Sequence, residues 1–171
     1  MDAIDLLVLE RLQADGRETW ATLGEALGLT GPAAADRVRR LEERGVIRGF
    51  AALVEPDAAG ATLTAFVAVT LERPRHRAAF LARVADMAEV QECHHVAGED
   101  DYLLKVRCRG PADLDRVLSD ELKGVPGVAR TRTTIVLRTV KETPVVPLFD
   151  GGEGSASEAL APRRRRPRGT P

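Results

Sequence analysis

The chain has 171 residues, enough for one ordinary domain or two small ones. Hydrophobic residues at 44% and charged residues at 30% exclude a wholly disordered or fibrous chain, and the longest uncharged stretch, Ala58 to Leu71, falls short of a membrane-spanning helix. Twenty-five basic and 26 acidic side chains leave a net charge of -1, so no global field draws the protein to nucleic acid or an anionic membrane, and any such binding must come from local patches.

The amino terminus, MDAID, is acidic where a secretory signal is basic, and no apolar core with a small-residue cleavage site follows, so the reading is a cytoplasmic protein. Over residues 2–14, Ile4, Val8, Leu9 and Leu12 recur at helical spacing behind Asp2 as a cap. A short second helix fits residues 20–27, with Thr19 before it, Leu23, Ala26 and Leu27 on its apolar side and Gly28 to break it. Thr30, Gly31 and Pro32 open a third helix that runs to about Arg44 and stops at Gly45. From Val46 to Pro56 the composition turns β-type without clean alternation, which predicts a strand linker over 51–61 between a first domain at 1–50 and a second at 62–142.

In the second domain a strand is predicted at Thr62–Glu72 and a helix at about His76–Met87, with Phe80, Leu81, Val84 and Met87 on one side. Two strands, roughly 90–97 and 102–109, flank GEDD, whose glycine and aspartates suit a hairpin turn. Pro111 opens a helix with Leu114, Val117, Leu118 and Leu122 on one side, ending at Lys123 and Gly124, and a last strand is predicted over Ala129–Val140. The order strand, helix, strand, strand, helix, strand is that of the ferredoxin-like split unit, with both helices on one face of an antiparallel sheet. The other face stays uncovered, a reason to expect dimerisation by sheet packing. Residues 143–171 turn to Gly, Ser, Pro, Ala and Arg and are expected to form a disordered, Arg-rich tail.

The short turn between the second and third helices suits a helix-turn-helix, with the third helix presented to a DNA groove. At about 100° per residue, Ala34, Val38 and Leu41 share one sector, and Arg37, Arg40 and Arg44 share the neighbouring one with Asp36 beyond. A row of guanidinium groups beside a packed stripe suits phosphate contacts and bidentate contacts to guanine. The competing reading is a solvated face with intrahelical pairs such as Arg39 with Glu43. The first turn, from Gly31 to Ala35, offers few hydrogen bonds to bases. Discrimination then leans on Thr30, Asp36, Arg37 and Arg40, with Ala33 and Arg44 completing the candidate DNA-binding set, and on DNA shape.

Other chemistry finds little support. Cys93 and His95 share a strand face, yet a closed metal site needs about four ligands and no second pair is evident, so no metal or other cofactor is expected. Cys93 and Cys108 read as two thiols. Ser119, Ser155 and Ser157 sit on no strand-to-helix elbow, and no glycine-rich phosphate loop occurs, so no enzyme activity is expected. The RRRR run near the carboxyl terminus either adds a mobile contact to DNA or is a solvated end.

The stretches DAIDLLVLERLQADGR, LGEALGLT, RVRRLEERGVIRGFAALVEP, QECHHVAGEDDYLLKVR and PGVARTRTTIVL together resemble the Lrp/AsnC family of transcription regulators over about residues 2–142. The resemblance implies an α+β protein. A helix-turn-helix domain, winged-helix-like, would join through a strand to a ferredoxin-like βαββαβ domain of the ACT-like or RAM kind. It also implies homodimers that often assemble into octamers on double-stranded DNA, and an amino acid effector held at subunit contacts. His95, Gly98, Asp101 and Tyr102 around the hairpin, with Thr134 and Val136 of the last strand, are the effector residues it implies. A loop amide near Gly98 would meet the effector carboxylate and Asp101 its ammonium group. Siroheme decarboxylases resemble the same fold, but Trp20 and Tyr102 are the only tryptophan and tyrosine here, few stacking groups for a tetrapyrrole. A sensor that has lost DNA binding is the third reading.

Overall fold

The computed structural model describes residues 1–149, so the RRRR run lies outside the described residues. The described residues divide into two compact units, residues 1–51 together with 143–149, and residues 52–142.

In the first unit, α1 (Ala3–Ala14), α2 (Trp20–Leu27) and α3 (Gly31–Glu43) follow the predicted spans closely. Asp2 caps α1 in a reciprocal box: its carboxylate accepts from Asp5 N at 2.8 Å, and Asp2 N donates to Asp5 Oδ2 at 3.1 Å. Val8, Leu9, Leu12, Leu23, Ala34, Val38 and Leu41 form one buried cluster, so the apolar stripes of all three helices converge. The turn between α2 and α3 depends on two glycines. Gly28 closes α2 in the left-handed region at φ 67°. Gly24 lets α2 approach the turn backbone, since a Cβ there would lie 2.9 Å from Leu29 O and Thr30 C.

The second unit is one antiparallel sheet in the order β2-β3-β1-β4, built from β1 (Leu63–Leu71), β2 (Val90–His95), β3 (Tyr102–Cys108) and β4 (Val128–Ile135). Helix α4 (Arg77–Ala85), entered through a 3-10 turn at Pro74–His76, and α5 (Pro111–Arg116), continued by a π-helical turn at Val117–Leu122, cover one face. Alternate residues of β1 and β3 (Ala65, Val67, Val69; Tyr102, Leu104, Val106, Cys108) are buried there against Phe80, Val84, Leu114, Val117 and Leu122. This is the ferredoxin-like arrangement that the element order implies. The opposite face carries Phe66, Ala68 and Leu103, with Lys105, Arg107, Arg130 and Arg132 around them.

Four expectations are corrected. Residues 46–62 hold no strand: a run of turns closes at Pro56–Gly60, with Ala61 N bonded to Pro56 O at 2.8 Å. Leu53 and Val54 are exposed, and β-type composition makes no strand without a neighbouring ladder. Strand β4 stops at Ile135 rather than Val140, because β1 begins at Leu63 and offers no partner beyond the bond from Val136 N to Thr64 O at 2.9 Å. Leu81, placed on the apolar side of α4, is 39% exposed. Residues 143–149, expected in a disordered tail, belong instead to the first unit.

Gly24→Ala forces the close-packed turn apart and is expected to destabilise the first unit by about 1–3 kcal/mol. Gly28→Ala costs only about 1 kcal/mol, because the strain there is confined to its own backbone. Urea unfolding followed by Trp20 fluorescence measures both.

Candidate functional site

Helix α3 is fastened to α1 by charge. Arg37 Nη1 donates to Asp2 Oδ2 and to Asp5 Oδ1, each at 2.8 Å, and its side chain is only 27% exposed, with Asp5 at 12%. The two carboxylates raise the Arg37 pKa, and the Arg37 hydrogen bond leads the causes that lower that of Asp2. Arg37 therefore serves the fold before it serves any partner, which corrects its place in the free cationic row. Arg40 and Arg44 remain outward at 67% and 53% exposure, Arg44 lying 4.0 Å from Asp5 Oδ2. A shallow cleft beside them is lined by Asp2, Asp5, Arg37, Arg40, Leu41 and Arg44.

The intrahelical pairing also exists. Arg39 bonds Glu43 at 2.6 Å and Asp36 more closely still, and Arg40 reaches Asp36 at 2.8 Å. The hydrogen bond from Arg39 is the main cause that holds the Asp36 carboxyl below the usual range. About 100° per residue puts Arg39 well away from the buried stripe, so it belongs to the outward face, where the sequence reading placed Arg37, Arg40 and Arg44 as the cationic row and Arg39 only in a solvated pair with Glu43. Its position in the helical wheel would have found it. Thr30 Oγ1 accepts from Ala33 N at 3.3 Å and caps α3, and both residues are exposed.

In the second unit the hairpin loop after β2 is held by its own acids. Asp101 N donates to Val69 O at 2.9 Å, Val96 N to Asp101 O at 3.0 Å, and Asp101 Oδ2 accepts from Leu71 N at 2.7 Å. One of the two oxygens of Asp101 is thereby engaged by the backbone of β1. Asp100, absent from the sequence-based set, is the loop's anchor: its side chain is 6% exposed, takes Thr70 Oγ1 at 2.8 Å, and pairs with Arg132 at 2.7 Å and Arg130 at 3.2 Å. The Thr70 hydroxyl first, then the two arginines, keep its carboxyl below the ordinary range. The two arginines of one β4 parity were the available signal. A Cβ on Gly98 would meet nothing within 4 Å, so open space lies beside that backbone.

His95 is exposed, with its ring 5.2 Å from that of Tyr102 and Nε2 3.3 Å from Arg77 Nη2. Tyr102 is 2% exposed and packs on Phe80, so it is a core ring under His95 rather than an open pocket wall. Thr134 and Val136 are not beside the loop. Thr134 pairs with Phe66, three residues along β1 from Val69, a separation of about 10 Å at strand spacing, and Val136 lies further away beside Thr64. Thr134 also shares the open face with Phe66, whereas Tyr102 faces the helices. Among the described residues, no group of three His, Cys, Asp or Glu is placed to hold a metal ion.

Two family models match this chain: the AsnC-type helix-turn-helix domain over residues 1–42 and the Lrp/AsnC ligand binding domain over residues 64–146. The chain belongs to the Lrp/AsnC family. The leucine-responsive regulatory protein of Escherichia coli K12 is 40% identical over 145 residues, 84% of this chain and 88% of its own length. That of Haemophilus influenzae is also 40% identical, over 87% of its length. Among solved structures, a Neisseria meningitidis transcriptional regulator in complex with L-Met superposes with a TM-score of 0.81 at 31% identity, over 86% of this chain and 96% of that one. A feast or famine regulatory protein from M. tuberculosis complexed with L-methionine gives 0.78 at 39% identity, over 85% and 97%. As an Lrp/AsnC regulator, the protein pairs a DNA-binding helix-turn-helix with a ligand-binding domain, which makes it a ligand-responsive transcription regulator.

The charge geometry of this Lrp/AsnC chain has two measurable consequences. Arg37→Met leaves Asp5 without its main partner and is expected to lower the stability of the first unit by about 1–3 kcal/mol, read by thermal unfolding. Because the folded pKa of Asp100 lies below its unfolded value, its contribution is complete above about pH 4 and fades as pH falls through the folded value. The guanidinium signals of Arg130, bonded directly to the Asp100 carboxylate, should shift with that acid titration, and in Asp100→Asn they should start displaced at neutral pH and lose it.

Proposed function

We propose that the protein regulates transcription as a homodimer, or as an octamer built of four dimers, that binds double-stranded DNA through the outward side of α3. A free amino acid held at subunit contacts sets its affinity for DNA, without catalysis and without a cofactor, in the cytoplasm where the chromosome lies. The observation that carries the reading is the exposure of Arg40 and Arg44 beside the buried stripe of Ala34, Val38 and Leu41. Arg39 adds to that face, Asp36 restrains two of the guanidinium groups, and Thr30 and Ala33 stand at its leading end.

Dimerisation is supported by the sheet face that α4 and α5 leave open, where 37%-exposed Phe66 lies beside half-buried Leu103 and buried Ala68. A two-fold assembly would also space two α3 helices for successive turns of a duplex. The amino acid effector is supported by the bound methionine of the Neisseria and M. tuberculosis relatives. In this chain His95, Gly98 and Asp101 cluster at the hairpin, while Thr134 and Val136 sit about 10 Å or more along the sheet. A pocket that uses both sets draws them from different subunits, so ligand and assembly are coupled. Linkage then requires DNA and effector to change each other's affinity by one common factor.

Fluorescence anisotropy on the protein's own upstream DNA, with and without each amino acid, tests the reading. Arg40→Gln with Arg44→Gln should weaken binding and flatten the salt dependence by up to about two in slope per subunit bound, while the fold melts unchanged. An effector at a hundred times its Kd should raise stability by about 2.7 kcal/mol, and Asp101→Ala should abolish that gain. Binding to the upstream DNA no tighter than to random duplex would remove the proposal.

A further inference from the structure

Cations are unevenly placed along the helix-turn-helix unit. No lysine or arginine occurs between Arg17 and Arg37, so α2, the turn after it and the leading turn of α3 carry none. The outward guanidinium groups begin at Arg39, about 14 Å along the helix from the Thr30 cap. Contacts to phosphate fix a protein's register on a duplex, and a helix gripped at one end only is free to swing.

Between those two arginines, the one large apolar side chain that stands exposed is Trp20, at 43%. It opens α2, and the start of α2 stands against the start of α3: a Cβ on Gly31 would lie 3.5 Å from Trp20 O and from Ala21 N. The ring has no task inside the unit. It is outside the buried cluster of the three helices, and the aromatic pairs among the described residues, Phe80 with Tyr102 and His95 with Tyr102, do not include it. In a helix-turn-helix the second helix enters the groove by its leading end while the first crosses the backbone. With α3 so placed, the start of α2 comes to the phosphates at the groove edge and brings Trp20 with it. The chemistry matches, since an indole N–H only donates and a phosphate oxygen accepts, while the flat apolar body of the ring can cover a deoxyribose.

We propose that Trp20 is a further DNA contact, its Nε1–H donating to a phosphate of the strand that borders the groove entered by α3 and its ring covering the adjoining sugar. The contact holds the leading end of α3, where no cation does. It reads no base: a bond to the backbone adds affinity for any duplex, and α3 keeps the discrimination. This role rests on α3 as the groove helix.

The test uses the full chain, with emission and anisotropy titrations on upstream and random duplexes across a salt series. Trp20 is the only tryptophan, so wild-type emission reports this ring alone. It should change in step with anisotropy on either duplex, and not on dilution without DNA. Trp20→Ala should lose about tenfold or more in affinity, equally on both duplexes. Trp20→Phe, which keeps an aromatic ring but has no N–H, should show most of that loss. A neutral donor displaces no counterion, so the slope of log affinity against log salt should stay at the wild-type value in both variants, unlike that of Arg40→Gln with Arg44→Gln. Emission unmoved at DNA saturation overturns the proposal without any variant, and so does emission that follows dilution alone, which would mark Trp20 as a subunit contact. Unchanged affinity in Trp20→Ala, a loss on the upstream duplex only, or wild-type binding by Trp20→Phe also overturns it. In each of these cases the α3 reading stands if Arg40→Gln with Arg44→Gln still weakens binding. An inert α3 variant, or a full chain that binds no duplex, removes that reading and the role of Trp20 with it.

Discussion

The contact between Arg37 and the carboxylates of Asp2 and Asp5 governs how this protein can meet a partner. It ties the middle of α3 to the start of α1, with both Asp5 and Arg37 largely removed from water. A helix fixed by its apolar stripe alone can roll by a fraction of a residue step; a guanidinium bonded to two carboxylates beside that stripe stops the roll. Arg40 and Arg44 are thereby directed outward, and the cost is one arginine withdrawn from the outward face. The carboxylates at the start of α1 also complement its helix dipole, so the same two residues cap one helix and orient another.

The hairpin loop follows a similar logic with the signs reversed. Two arginines on the open face of β4 converge on one buried acid, Asp100, and the next residue, Asp101, spends an oxygen on the backbone of β1. The loop is thus built onto the sheet, which preorganises the backbone around Gly98 at the end of the hairpin. Lys105 and Arg107 are matched in turn by Glu142, which returns over the open face after β4 and whose carboxyl both cations hold below the ordinary range, Lys105 foremost. Charge on that face is therefore compensated inside the chain, and the apolar patch around Phe66 is what remains to be covered.

Much of the fold was legible in the sequence. Periods of three and four residues located α1 to α5 because each helix packs one stripe on a core, and the caps Asp2, Thr19 and Thr30 marked starts that the hydrogen bonds bear out. Strands β1 to β4 were recognisable by composition and turn residues. The misplaced boundaries share one cause: residues 46–56 and 136–140 have strand composition but no ladder neighbour, and pairing is a property of two segments. The core position of the Tyr102 ring was not legible for a related reason, since strand parity decides whether a ring faces the helices or the solvent, and parity follows from register.

What the residues alone determined about this protein is its class and its order of parts: an amino-terminal three-helix DNA-binding unit, a ferredoxin-like sheet unit and a basic carboxyl terminus, all encoded in local periodicity, capping and composition. Only the tertiary structure decided which arginine is bound inward, that Asp100 anchors the hairpin loop, that Thr134 lies far along the sheet from it, and that residues 143–149 return to the first unit. Each of these depends on contacts between segments distant in sequence. Coulomb and hydrogen-bond partners are chosen by distance in space, which no spacing along the chain records.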